Sequence, residues 1–390
     1  MVALLLMAVA PCLNAQKKEI AQARSYIKSG KDYDKAEQLM TALLKDTVHR
    51  RDMKVRRVLA DAVRKQYEQM NEKLYLEQKY DTAALFTLTR RMFLAYEGLD
   101  SIDAMPGKNG KSKPKYRRRN AEYVNALRHN LFSGGVYFIR KQQYATGLEF
   151  MESYIDCGRQ PLLAGTGSGG LEEQAAYWAL FCGYKMGDAS IVFRHAEAAM
   201  GDSARLARTY RYIADTYRRQ NDTEHYVSML RRGFGKFKKE RYFCTRLLDY
   251  YNSAGKTDSS MHVVEEALRA SPGDTLLLFA KSSILLNTGD YSGCVAICDT
   301  LIEWDDTLAD AHYNAGVAYL NMAFRVEHHQ EMSRETLAQA RVYYRAALPY
   351  MERYRALRPK EKDKWAAALY NIYLRLNMGE KFEEIDRLLR

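Results

Sequence analysis

The sequence predicts an all-α protein, a solenoid of stacked helix-turn-helix hairpins. Three observations carry that expectation. Tyr217, Tyr251, Leu285 and Tyr319 fall at successive 34-residue intervals, as do Ala214, Leu248, Ser282 and Gly316, and the turn residues Asn221, Gly255 and Gly289. A period of this size marks an array of helical repeats. Within each period the apolar residues recur three and four apart, which is the stripe of a helix and not the alternation of a strand. Only 7 prolines occur in 390 residues, so long helices run uninterrupted.

The N-terminus opens the order of elements. Residues 1–15 carry no charge, and Val2 to Ala10 is an apolar run too short for the ~20 residues a bilayer span needs. Pro11 and Leu13-Asn14-Ala15 follow, a small-residue cleavage pattern before Gln16. We therefore expect a signal peptide over 1–15 and an exported protein without a transmembrane helix in the mature chain. No Lys or Arg precedes the apolar run. Cys12 raises the question of lipid attachment, against which Pro11 stands where a small residue is usual.

Residues 16–102 read as degenerate hairpins, through Gly30, Tyr33, Ala36, Met40 and Leu43 and then Tyr67, Met70, Leu74, Tyr80 and Ala83. Residues 103–120 interrupt them with a basic linker. From Lys108 to Arg119 it holds seven Lys or Arg and no acid. Central hairpins are expected over 121–205, with a flexible Gly-rich loop at 161–170. The regular array occupies 206–361, where Pro272 and Pro359 follow second helices and end them. Its last hairpin is extended beyond Tyr319 by long polar helices. Residues 362–390 form a capping hairpin with Glu380, Glu383, Glu384 and Asp386 on its outer face.

The units Tyr210-Ile213-Ala214-Tyr217, Leu247-Leu248-Tyr251, Leu278-Ser282-Leu285 and Ala315-Gly316-Tyr319 resemble the tetratricopeptide repeat, W-x2-L-G-x2-Y followed by A-x3-F and P. Tyr210, Cys244, Leu278 and His312 stand at the tryptophan position. The resemblance implies a right-handed superhelix of roughly eight or nine hairpins. It also implies a concave groove lined by first helices, to which Tyr177, Tyr184, Arg211, Arg218, Tyr242, Asn252, Phe279 and Tyr313 are assigned. Tyrosine and phenylalanine among arginines suit an extended or helical peptide with acidic groups.

Chemistry finds little support. Gly165 to Gly170 lacks the strand and the Gly-Lys-Ser/Thr of a phosphate loop. In Glu327-His328-His329-Gln330-Glu331 the adjacent histidines point about 100° apart on a helix and cannot share an ion. No base with an orienting partner occurs, so no catalytic residue, metal or cofactor is expected. Cys157, Cys182, Cys244, Cys294 and Cys298 read as small core residues. A second basic run spans Arg231 to Lys239, and its Phe234 and Phe237 read as packing residues.

The leading expectation is a non-enzymatic scaffold in the periplasm or outer envelope of a Gram-negative bacterium, holding a protein or peptide partner. The net charge of +12 and Lys108–Arg119 allow contact with an anionic envelope surface. The alternatives are an envelope protein that binds carbohydrate or lipid, and, if the N-terminus is retained, a cytoplasmic adaptor or nucleic-acid-associated regulator. Nucleic acid is the less favoured partner.

Overall fold

The computed structural model describes residues 2–107, 109–167, 169–329 and 333–390, with side chains from Gln16 onward except that of His329. Lys108, Ser168, Gln330, Glu331 and the Cys12 side chain lie outside the described residues. Among those described the backbone is helical, with no strand. It forms two compact units, Met1–Asp222 and Thr223–Arg390.

The N-terminal unit contains α1 (Val2–Ser29), α2 (Tyr33–Lys45), α3 (Met53–Tyr75), α4 (Thr82–Asp103), α5 (Arg117–Asn125), α6 (Arg128–Arg140), α7 (Tyr144–Cys157), α8 (Glu172–Met186), α9 (Ala189–Ala199) and α10 (Leu206–Arg219). Hairpins α1/α2, α3/α4, α6/α7 and α8/α9 stack in sequence, and α1 touches α3 as α6 touches α8 and α8 touches α10. The helix α5 belongs to no hairpin and lies on α4.

The C-terminal unit contains α11 (Thr223–Lys236), α12 (Arg241–Ser253), α13 (Thr257–Ala270), α14 (Thr275–Thr288), α15 (Tyr291–Trp304), α16 (Ala309–His329), α17 (Arg334–Leu357), α18 (Lys362–Leu376) and α19 (Gly379–Leu389). Each helix packs on the next, and first helix α14 also packs on first helix α16. Helices α16 and α17 have 21 and 24 residues against 14 in α14 and in α15. The extension expected after Tyr319 is therefore a lengthened hairpin, and α17 runs on through Pro349.

Local sequence explains the element ends. Asp52, Asp81, Asp188, Asp274 and Asp290 each accept backbone N–H groups at the start of a helix, as Ser333 does at α17. These bonds satisfy donors that the first turn leaves without partners. The turns keep the 34-residue beat: Gly187, Asn221, Gly255 and Gly289 have φ of 76°, 59°, 66° and 84°. The left-handed region is open to glycine and tolerated by asparagine, so the sequence repeat is in part a repeat of backbone geometry. Gly187 extends the ladder one period upstream of the regular array.

Many positions of the 34-residue repeat are core, although Tyr217, Leu285 and Tyr319 are only half-buried. Tyr210, Cys244 and His312 are buried, as are Ala214, Leu248, Ser282 and Ala315. Close approach of helices needs small residues: a Cβ on Gly233 of α11 would lie 2.3 Å from the ring of Phe243 on α12. Gly233→Ala is therefore expected to cost about 1–3 kcal/mol by overpacking, outweighing alanine's better helix propensity. A urea midpoint equal to wild type would show that the ring has room to move.

The tyrosine excess also finds its cause here. Buried rings reach carboxylates with their hydroxyls: Tyr354 donates to Glu361 at 2.8 Å and Tyr373 to Glu352 at 3.1 Å, and half-buried Tyr350 donates to Asp299 at 2.6 Å. A ring that fills the core and an oxygen that reaches its edge suit the space between packed helices. The five cysteines from Cys157 onward are free and buried, and burial pushes the thiols of Cys157 and Cys244 to about 11 and that of Cys182 to about 12. They are packing residues, as expected. So is Phe234, which is buried, and Phe237 stacks near Phe243 at 6.3 Å.

Two interrupting segments differ from expectation. In the basic linker, Arg117 is structural: its Nε and Nη2 donate to the buried carboxylate of Asp100 at 2.9 and 2.8 Å. Lys111, Lys113, Lys115, Arg118 and Arg119 remain exposed. The Gly-rich stretch is anchored, with Leu162 and Leu163 buried and Arg128 donating to the Gly167 carbonyl at 3.3 Å. Composition showed the glycines but not the arginine that ties them down.

Candidate functional site

In the C-terminal unit the first helices α12 and α14 enclose a cleft of about 460 Å3. The three-and-four spacing that buries Leu247 and Leu248 turns Thr245, Asp249 and Asn252 to the neighbouring side of α12. On α14 the same logic presents Leu276, Phe279 and Ser283, and all six line the cleft. Asn252 is held, since its Oδ1 accepts from the Ser260 hydroxyl at 2.7 Å. Ser283 is held too, accepting from Asn314 Nδ2 at 3.1 Å. Leu276 is 46% exposed, an apolar side chain at a rim that also carries Asp249 and Asn287. The cleft thus offers an apolar contact flanked by one fixed amide, a second exposed amide and one carboxylate, a pattern suited to a peptide strand or helix face.

The structure brings Asn252 and Phe279 together here. Tyr242 lies half-buried at the start of α12, with the Arg246 guanidinium 6.0 Å from its ring. Tyr313 packs instead on Tyr354, ring to ring at 5.1 Å, beneath Lys364.

In the N-terminal unit the sequence-assigned residues fall on α8 and α10. Tyr177 is corrected: at 2% exposure it is core, against Trp178 and Tyr212, because a one-residue change of helical phase turns a groove position inward. Tyr184 is half-buried and built into a cluster. Its hydroxyl donates to Asp215 at 3.3 Å, and the Arg219 guanidinium lies 4.2 Å from its ring. Burial, then the Asp215 charge, raises its phenol above the ordinary value. Arg218 is exposed and pairs with the same Asp215 at 3.7 Å, and Arg211 is exposed one helical step away. Sequence reasoning missed Asp215 and Tyr212, which organise this face. Their signal was present as positions four and seven residues from Arg208 and Arg219, but both fell in no motif.

The metal candidate has another use. Glu327 accepts from Tyr344 and from Arg375, both at 3.2 Å, while His328 stacks on Phe324. Among the described residues no three His, Cys, Asp or Glu side chains converge as metal ligands.

First helices packed on one another (α1 on α3, α6 on α8, α8 on α10, α14 on α16), second helices each packed on the next hairpin's first helix, and left-handed turns every 34 residues together define the repeat. The fold is that of an all-α solenoid of tetratricopeptide-like hairpins, as the 34-residue spacing predicts. No protein-family model and no curated protein matches the sequence. Among solved structures it is similar to the C-terminal part of a TPR repeat-containing protein from Cytophaga hutchinsonii, at 11% identity and TM-score 0.45, over 65% of this chain and 92% of that one. It is similar to residues 41 onward of MamA from Desulfovibrio magneticus RS-1, at 18% identity and TM-score 0.37, over 47% and 95%. A third likeness is to the TPR2AB domain of yeast Sti1, solved as a complex with pHSP90, at 11% identity and TM-score 0.26, over 78% and 98%.

Proposed function

We propose that the chain is a non-catalytic scaffold that holds a segment of a partner protein against its first-helix faces. The observation that carries this is the α12/α14 cleft, where an exposed leucine, a phenylalanine and fixed amide and hydroxyl groups meet on adjacent first helices. Backbone groups of an extended segment would bond to Asn252 and Asn287, and an apolar side chain would enter beside Phe279. On α10 the exposed guanidiniums of Arg211 and Arg218 suit an acidic stretch of the same class of partner.

Residues 1–15 support an exported location, as no charge interrupts them and a small-residue cleavage pattern precedes Gln16. Among the described residues no helix is long and apolar enough to cross a membrane. Sequencing the N-terminus of protein recovered from its native cell tests this: a start at Gln16 agrees, and a start at Met1 contradicts it.

A second contact is favoured by the linker. Lys111, Lys113, Lys115 and Arg118 are exposed without an intervening acid. Replacing the three lysines by glutamine is expected to weaken association with anionic vesicles, and the difference from wild type should vanish as salt shortens the screening length to ~3 Å near 1 M. Equal binding by both proteins at low salt would remove the linker from the account.

A further inference from the structure

A cavity of about 1010 Å3 in the N-terminal unit lies where α5 departs from the hairpin pattern and leans over α3 and α4. None of the sequence motifs pointed to it. Its lining is unusual in being phenolic. Tyr67 and Tyr96 are buried in the floor, Tyr123 faces them from α5 with its ring 6.0 Å from that of Tyr96, and Tyr75 stands at the mouth, 84% exposed. Burial raises the phenols of Tyr67 and Tyr123 and takes Tyr96 up to about 12, so these hydroxyls stay neutral donors and acceptors.

Charge on the walls narrows the ligand. Four carboxylates, Asp61, Glu68, Glu72 and Glu122, face three guanidiniums. Two of the arginines are already engaged. Arg64 pairs with Asp61 at 3.4 Å and with Glu68 at 3.8 Å, and Arg57 donates to the Tyr116 hydroxyl at 3.1 Å. A phosphate or other polyanion would meet more repulsion than attraction here. Leu99, Leu127, Ala60 and Ala126 are too few to line a channel for an acyl chain. What remains is the aromatic surface of exposed Tyr75 and half-buried Tyr123, with planar polar edge around it. Asn71 and Asn120 add amides, and Asn120 Nδ2 has no hydrogen-bond partner among the described residues. A turn about its soft terminal torsion offers that donor to the cavity.

We propose that this cavity binds a neutral oligosaccharide. The C–H face of a pyranose stacks on the ring of Tyr75 at the mouth and on half-buried Tyr123. Sugar hydroxyls both donate and accept, matching the carboxylates, amides and phenols of the walls. The volume reaches the upper end of the range for small-molecule sites, roughly 300–1000 Å3, and so suits several linked rings. The site is separate from the first-helix cleft of the C-terminal unit and does not depend on it.

The test is calorimetric titration of the full chain with maltotriose, cellotriose, laminaritriose and tri-N-acetylchitotriose. At least one should bind with Kd at or below about 1 mM, and Asn120→Ala and Tyr75→Ala should each weaken it about five- to tenfold. Tyr75 is exposed, so its loss leaves folding intact, and Arg341→Glu on α17 serves as the variant expected to bind as wild type. Absence of binding by all four sugars overturns the proposal. So does sugar binding that both cavity variants leave unchanged. An oligolysine peptide that binds instead, and is lost on Glu68→Gln, would reassign the cavity to a cationic segment and overturn it as well.

Discussion

Replacing Glu172 with alanine should destabilise the N-terminal unit by about 1–3 kcal/mol, less than for a fully buried pair because its side chain is 35% exposed. Glu172 Oε1 accepts from Arg128 Nη2 at 2.8 Å and from the Gly169 amide at 2.7 Å. Arg128 is only 4% exposed and lies 4.9 Å from the Tyr154 ring. An arginine cannot shed its proton, so removing the carboxylate strands a buried charge. Arg128 also holds the Gly167 carbonyl, and the anchored stretch from Leu162 to Gly167 should loosen with it. Replacing both, Arg128→Met with Glu172→Gln, should recover much of the loss, since a vacated pair costs less than a broken one.

The same pair sets an acid limit. Burial works against the Glu172 charge, yet backbone N–H groups at Glu172 and Gly169, with Arg128, hold its carboxyl below the ordinary value. A depressed carboxyl contributes stability that is present above the unfolded value near about 4.3 and is lost as pH falls through the folded one. Wild type should therefore lose this contribution below about pH 4, and Glu172→Gln, which never carries it, should show a flatter acid limb. Hydrogen exchange at residues 121–186 reads both effects locally, as a repeat array need not unfold as one unit. Parallel acid limbs for wild type and variant would count against the pair.

Tyr354→Ala should cost about 3–5 kcal/mol in the C-terminal unit, whereas Tyr354→Phe should cost only about 1 kcal/mol. The ring is 0% exposed and packs on Tyr313, so its deletion opens a cavity between α16 and α17. Phenylalanine removes only the hydroxyl given to Glu361, and that carboxylate keeps Lys364 at 2.8 Å. Denaturant midpoints for the two variants divide the role of the tyrosines between packing and hydrogen bonding. Equal losses would mean that the hydroxyl network, and not the ring, secures these interfaces.

The fold was legible because it repeats. Asn221, Gly255 and Gly289 betrayed the turns, and one wrong residue in a unit is outvoted by its neighbours in phase. The N-terminal half was harder, since hairpins such as α3/α4 are longer than the period and α5 interrupts them. Groove positions were read less well. A helix face is about 100° from the next residue's, so Tyr177 moved from groove to core while Asn252 and Phe279, in the best-phased stretch, landed in one cleft. The phenolic cavity was invisible, because Tyr67, Tyr96 and Tyr123 come from three helices with no shared spacing. Arg128 was invisible for the same reason: its partners lie about forty residues away.

The most direct measurement of the scaffold account is partner capture by matched charge variants. Arg211→Glu with Arg218→Glu reverses two first-helix charges, and Arg341→Glu with Arg345→Glu makes the same change in net charge on exposed positions of second helix α17. The tagged proteins, with helicity verified by circular dichroism, are used to recover bound proteins from envelope extracts, and the affinity of the recovered partner is then measured. The account predicts that the α10 variant loses at least about tenfold in affinity and that the α17 variant binds as wild type does. Unchanged capture by the α10 variant, or equal loss in both, would contradict recognition by the first-helix face.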